Sequence, residues 1–228
     1  MDFYKMLSKH YDEIFPVSMD LVNMVKELAP EGGSVLDVGC ATGAFIRKLC
    51  NEGFDASGLE YVPELVGFPE RTKIGDMHHL PYEDSTFDTL ICTGNTLAHV
   101  SSKEGAEQVL KEFSRVLKKG GKAVIQILNY EMILKKQLRE LPLIQTENVR
   151  FKRSYEYLQN HIRFTGKLTV SSGTDDSYVV LYPLTESELS EIADNLNLRE
   201  LGTFSSFAKA VFSKNDSMPL IKIFEKFD

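Results

Sequence analysis

The segment VLDVGCATGAF, Val35 to Phe45, sets an apolar run directly before a glycine turn and a helical pattern. Gly39 and Gly43 let the backbone approach a ligand closely, and the start of the following helix offers unpaired N–H groups. Ligands of open α/β sheets bind at the carboxyl ends of such strands, and Asp37 adds a carboxylate there. Glu60 closes the next apolar run about twenty residues after Gly39, where a carboxylate accepts both hydroxyl protons of a ribose. A glycine turn between strand and helix is also plain architecture, so the motif alone leaves both readings open.

Other reactive side chains each carry two readings. His99 orients or deprotonates a reacting group, or caps the helical region that follows it. His78 and His79 are adjacent, which is not the spacing of a metal site on one helix face, and they read as loop residues. Cys40 sits in the glycine turn at a helix start, where a thiolate would be stabilised, yet a nucleophile there would attack a bound electrophile, so a small packing role fits better. In the stretch from Val149 to Tyr157, Phe151, Arg153, Tyr155 and Tyr157 alternate with polar residues and share one face of a strand. Arg153 among those aromatics either reaches water or pairs with an anion, which is a protein carboxylate or the carboxylate of a ligand that the planar guanidinium fits.

The elements that must position these residues alternate. A helix spans 19–28, with Leu21, Val25 and Leu28 on one stripe. Strands follow at Ser34 to Val38, Ala56 to Glu60, Lys73 to Gly75, Phe87 to Thr93 and Ala123 to Leu128, with a helix from Ala44 to Asn51. Ser101 and Glu104 form a capping box for a helix whose buried face is Ala106, Val109, Leu110, Phe113, Val116 and Leu117, and Gly120 stops it. Strands separated by helices imply a parallel sheet covered on both faces. From Val149 the period becomes two, and three half-buried antiparallel strands follow, ending near Tyr182. Thr185 and Glu188 then cap a helix that ends near Asn197, with Leu184 and Leu189 as its hydrophobic staple. Two final strands, Leu198 to Thr203 and Phe207 to Ser213, are too close for a crossover and must be antiparallel neighbours.

The 228 residues carry a net charge of −7, with 43% hydrophobic and 26% charged residues, which suits one or two globular domains and argues against a nucleic-acid partner. Three cysteines and no C-x-x-C pair exclude a disulfide framework or structural zinc site and point to a reducing cytoplasm. No signal pattern opens the chain, and apolar runs such as AVIQIL fall short of the ~20 residues a bilayer requires.

The glycine segment does not match the G-x-G-x-x-G of nicotinamide enzymes, because those positions hold Gly39, Ala41 and Ala44. It resembles the first motif of the class I S-adenosylmethionine-dependent methyltransferases, acidic-x-G-x-G-x-G, with Asp37, Gly39 and Gly43 matching and Ala41 replacing the middle glycine. The likeness continues through GLE (Gly58 to Glu60), GDMHHLPYEDSTFD (Gly75 to Asp88) and RVLKKGGKAVIQI (Arg115 to Ile127). GNTLAHV, Gly94 to Val100, is similar to a stretch of glycine and sarcosine N-methyltransferase-like enzymes, which also carry an antiparallel insertion after the fifth strand.

The resemblance implies an α/β, Rossmann-like, doubly wound and mostly parallel sheet with a reversed last strand and a small antiparallel β insertion. It implies S-adenosyl-L-methionine as cofactor, held by Asp37, Gly39, Cys40, Ala41 and Gly43, by Glu60 and Tyr61 after the second strand, by Asp76 and Met77 at the adenine, and by Thr93 and Asn95 after the fourth. Tyr11 would cover the cofactor from an N-terminal helix. His99 and Tyr157 are the catalytic candidates, Arg153 and Tyr155 the acceptor-binding ones, and no metal is needed. The expected division is an N-terminal cap over 1–30, a cofactor-binding core over 31–128 and 185–213, and a lid over 129–184 above the acceptor. The expected activity is methyl transfer to an N or O atom of a small molecule, with no nucleic acid or membrane partner and the oligomeric state open. The alternative is a non-catalytic cofactor-binding module or partner subunit.

Overall fold

Alternation of buried side chains explains the central sheet of the computed structural model, which describes residues 2–227. The chain begins with α1 (Asp2–Leu7), a 3-10 turn and α2 (Tyr11–Ile14), then α3 (Met19–Leu28), whose N-terminus Ser18 caps by accepting from the Leu21 amide. There follow β1 (Ser34–Val38), α4 (Ala44–Asn51), β2 (Asp55–Glu60), β3 (Thr72–Ile74), β4 (Phe87–Cys92), α5 (Lys103–Val116) and β5 (Leu117–Leu128). Leu36, Leu90, Ile125 and Ile127 face α5, while Val35, Ile91 and Val124 face α3 and α4. Period-two strands buried on both faces need helices on both sides, and that is the doubly wound arrangement observed.

After β5 come α6 (Tyr130–Lys136), β6 (Ile144–Gln145), β7 (Arg150–Tyr157), β8 (Ile162–Val170) and β9 (Gly173–Leu181), then α7 (Glu186–Asp194), β10 (Leu198–Phe204) and β11 (Pro219–Lys226). The large sheet has the order β10-β11-β5-β4-β1-β2-β3, with β11 antiparallel to both of its neighbours. The strand order reverses at β1, which lies between β4 and β2, so a crevice opens beyond the carboxyl ends of β1 and β4. The small sheet, β6-β7-β8-β9, is antiparallel throughout. Helix α1 lies on it through Phe3, which meets Phe151 and Phe164. That approach requires Gly166, since a Cβ there would stand 2.7 Å from both the Phe3 and Phe151 rings. No helix among the described residues is long and apolar enough to cross a membrane.

Several expectations need correction. The reversed strand is Pro219–Lys226 and not 207–213, which forms a turn with Val211 89% exposed. The strand sequence PLIKIFEK conceals a core element behind Lys222, which is fully buried between Glu186 at 2.7 Å and Glu200 at 2.6 Å. A buried charge survives only when paired in this way. The expected core segment 185–213 therefore stops short of the strand that completes the sheet. Ser102, not Ser101, caps α5, accepting from the Gly105 amide, and the helix ends at Val116, four residues before Gly120. Thr185 and Glu188 do form their capping box. The short elements α6 and β6 have no counterpart in the sequence reading.

Candidate functional site

The turn after β1 is built on left-handed backbone. Gly39, Ala41 and Gly43 have φ of 80°, 48° and 75°. The Gly39 and Cys40 amides donate to the Leu59 carbonyl at 2.8 and 3.1 Å, which ties the turn to the end of β2. A Cβ on Gly39 would lie 2.5 Å from Thr96 Oγ1, so no other residue fits. Ala41 occupies its strained position because its amide donates to Glu60 Oε2 at 2.8 Å. Alanine at the middle motif position thus keeps the conformation that glycine would adopt freely.

Two carboxylates stand near the ends of β1 and β2. Glu60 accepts from the Ala41 and Val62 amides, both at 2.8 Å. Burial raises its pKa against those amides, which lower it. Asp37 is buried, and burial together with the Glu60 charge pushes its pKa up to about 7. Among the described residues no hydrogen bond reaches the Asp37 carboxylate to offset this. Asp37 lines neither of the cavities described below. Beyond β3, burial would raise Asp76, but hydrogen bonds from the His78 amide and ring, at 2.9 and 2.6 Å, hold it below the usual range.

The turn after β4 forms the other wall. Gly94 and Asn95 both have φ of 67°. Gly94 donates to Gln126 Oε1 at 2.8 Å, and Asn95 bridges the Tyr130 hydroxyl and the Leu128 amide at 2.8 and 3.0 Å. Asn95 Oδ1 accepts from that amide, and its side-chain nitrogen donates to the phenol. A Cβ on Gly94 would meet no atom within 4 Å. His99, in the 3-10 turn that follows, contacts the Tyr4 hydroxyl through Nε2 at 2.6 Å. Burial alone lowers the His99 pKa to about 4, so its imidazole is neutral at physiological pH.

These walls enclose two adjoining cavities. The first, about 230 Å³, is lined by Tyr11, Gly39, Ala41, Glu60, Tyr61, Asp76, Met77 and His99 among the residues expected from sequence. The second, about 240 Å³, is lined by Tyr11, Asn95, His99 and Arg153 from the same set. Tyr4, Tyr11, Gly94 and His99 line both.

Other expected residues lie elsewhere. Cys40 lines neither cavity; its sulfur packs where a Cβ on Gly58 would go, and burial raises its thiol pKa. Gly43 begins α4 against Phe68. Thr93 contributes its carbonyl, which accepts from Thr96 Oγ1 at 2.7 Å. Tyr155 is buried against Phe164, itself a wall of the second cavity. Tyr157 lines neither cavity: its hydroxyl shares its one proton between the Ile133 and Leu138 carbonyls, at 3.2 and 2.5 Å, in and just after α6. Alternation places a residue on a face of a strand but does not say where along that face the cavity lies.

Sequence reasoning missed Tyr4, Gly94, Thr96 and His78 as lining residues. Tyr4 was visible only as a tyrosine seven residues before Tyr11. His78 was set aside for lacking metal-site spacing, although it follows the Asp76 loop.

Residues 36–125 match the family described as "Methyltransferase domain". The chain is 24% identical over 196 residues to the glycine/sarcosine N-methyltransferase of Aphanothece halophytica, spanning 80% of this chain and 73% of that protein. It is 25% identical over 130 residues to a probable tRNA methyltransferase 9B of Bos taurus, covering 55% of this chain and 28% of that one. Its fold matches an S-adenosylmethionine-dependent methyltransferase from Clostridium acetobutylicum with a TM-score of 0.80 at 14% identity, over 97% of this chain and 98% of that structure.

Proposed function

Because the chain belongs to the class I S-adenosylmethionine-dependent methyltransferases, we propose that it methylates an N or O atom of a small molecule held in the second cavity. The observation that carries this reading is the shared wall of Tyr4, Tyr11, Gly94 and His99 between the two cavities.

The first cavity fits the cofactor chemically. Glu60 stands at the strand end where ribose hydroxyls are held, and Asp76 and Met77 form the adenine side. Bound there, S-adenosylmethionine supplies a methyl group on a positively charged sulfur that departs as a neutral thioether.

The rest falls to the chain. Holding two reactants in line is worth ~7–11 kcal/mol of barrier. In the Nδ1–H tautomer of His99, the Tyr4 phenol donates to Nε2, leaving its oxygen lone pairs for an N–H or O–H of the acceptor. That bond orients the nucleophile and offers its proton a route toward a neutral imidazole.

A cavity of about 240 Å³ walled by aromatic and aliphatic groups favours a small acceptor over a polynucleotide, as does the net charge of −7. The experiment is transfer of labelled methyl from S-adenosylmethionine to a panel of small amines, phenols and carboxylates, with bulk tRNA alongside. Label should enter the small-molecule fraction. Label in tRNA alone would overturn the acceptor, and tight cofactor binding without transfer to anything would favour the non-catalytic module.

A further inference from the structure

The second cavity contains a cation without a counter-charge. Its lining is largely apolar, with Phe3, Phe15, Phe164, Leu128, Leu141 and Leu181 on its walls, and Arg153 is its one charged member. Two cations of the same small sheet have carboxylate partners: Lys152 pairs with Glu140 at 2.6 Å and Arg163 with Glu156 at 2.7 Å. Arg153 has no carboxylate partner among the described residues. One nitrogen donates to the Pro142 carbonyl at 2.6 Å, while its Nε, like that of Arg163, is buried with no partner. Among the described residues no carboxylate acts on it, and burial holds its pKa below the usual value. The pairing with a protein carboxylate, one of the readings open from the sequence, does not occur among the described residues.

A guanidinium has five N–H donors in a planar fork that matches a carboxylate with two parallel bonds. Half-buried and unpaired, it costs stability that a bound anion would return. The cavity is several times the ~30 Å³ share of a water molecule, and its apolar walls gain nothing from a small polar acceptor.

We propose that the acceptor is a hydrophobic carboxylate: a planar anion on Arg153, joined to an aromatic ring or branched hydrocarbon against Phe164 and its neighbours, with its nucleophile at the Tyr4–His99 wall. This rests on the two-cavity reading above and departs from an acceptor as small as glycine. Net burial of a carbon body adds affinity in proportion to its area, and the charge-assisted pair selects the anion.

The test is calorimetric titration of the protein loaded with S-adenosylhomocysteine. The probes are 2-aminobenzoate, phenylalanine and glycine, with 2-aminobenzamide and phenylalaninamide as uncharged partners and phenyl phosphate as the alternative anion. At least one hydrophobic carboxylate should bind about tenfold or more tighter than its amide and than glycine. Arg153→Met should erase the preference for the anion, and Arg153→Lys should keep part of it. Affinity for S-adenosylhomocysteine should hold in both variants. No carboxylate preference, a preference that survives Arg153→Met, equal binding of glycine, or selection of phenyl phosphate over every carboxylate would each overturn the inference. Failure of S-adenosylhomocysteine to bind would instead strike the reading beneath it.

Discussion

Glu60→Ala should weaken binding of S-adenosylmethionine by roughly ten- to a hundredfold, read by isothermal titration. The carboxylate has two duties. Its oxygens fix the Ala41 and Val62 amides at 2.8 Å, and so hold the glycine turn in its left-handed form. Its remaining lone pairs stand at the strand end where ribose hydroxyls are received. Loss of a hydrogen bond to a charged group costs about 1.5–3 kcal/mol, which sets the range. Glu60→Gln separates the duties, because an amide can still accept but accepts more weakly and adds donors opposite donors. It should fall between wild type and alanine. A folded Glu60→Ala protein with undiminished affinity would remove Glu60 from the ribose.

Tyr4→Phe should lower kcat by at least about a hundredfold while leaving cofactor affinity within about threefold. Positioned proton acceptors contribute roughly 10²–10⁴ in rate. Phenylalanine preserves the ring packing on Phe3, 5.1 Å away, and deletes only the hydroxyl at 2.6 Å from His99. The pH profile gives a second readout. With its pKa lowered to about 4, His99 is neutral and able to accept throughout the neutral range, so wild-type kcat at saturating cofactor should stay level down to about pH 5. It should fall only as pH drops through about 4, where the imidazolium forms and can no longer accept the Tyr4 proton. Tyr4 sets no basic limb near neutrality, since burial raises its phenol far above the usual value. Unchanged kcat in Tyr4→Phe, or an acid limb near pH 6.5, would place catalysis elsewhere.

Strands β1, β2, β4 and β5 were legible because each pairs an apolar run with a glycine or capping signal, and because burial on both faces leaves few other folds open. The first cavity followed from that, since the residues around Gly39, Glu60 and Asp76 all sit at strand ends. The last strand was not legible, for Lys222 looks like a surface residue until Glu186 and Glu200 close on it. Nor was the contact between Tyr4 and His99, which lie 95 residues apart and meet only because α1 packs on the small sheet. Tyr157 shows the opposite failure. It shares a face with Phe151, Arg153 and Tyr155, but it sits at the far end of β7, beside the carbonyls of Ile133 in α6 and of Leu138 just beyond it.

A crystal structure with S-adenosylhomocysteine bound tests the two-cavity account most directly. The nucleoside should lie along Glu60, Asp76 and Met77, with its sulfur at the wall of Tyr4, Tyr11, Gly94 and His99 and facing the cavity that holds Arg153. A sulfur directed away from that wall, or a nucleoside bound outside the crevice of β1 and β4, would contradict it.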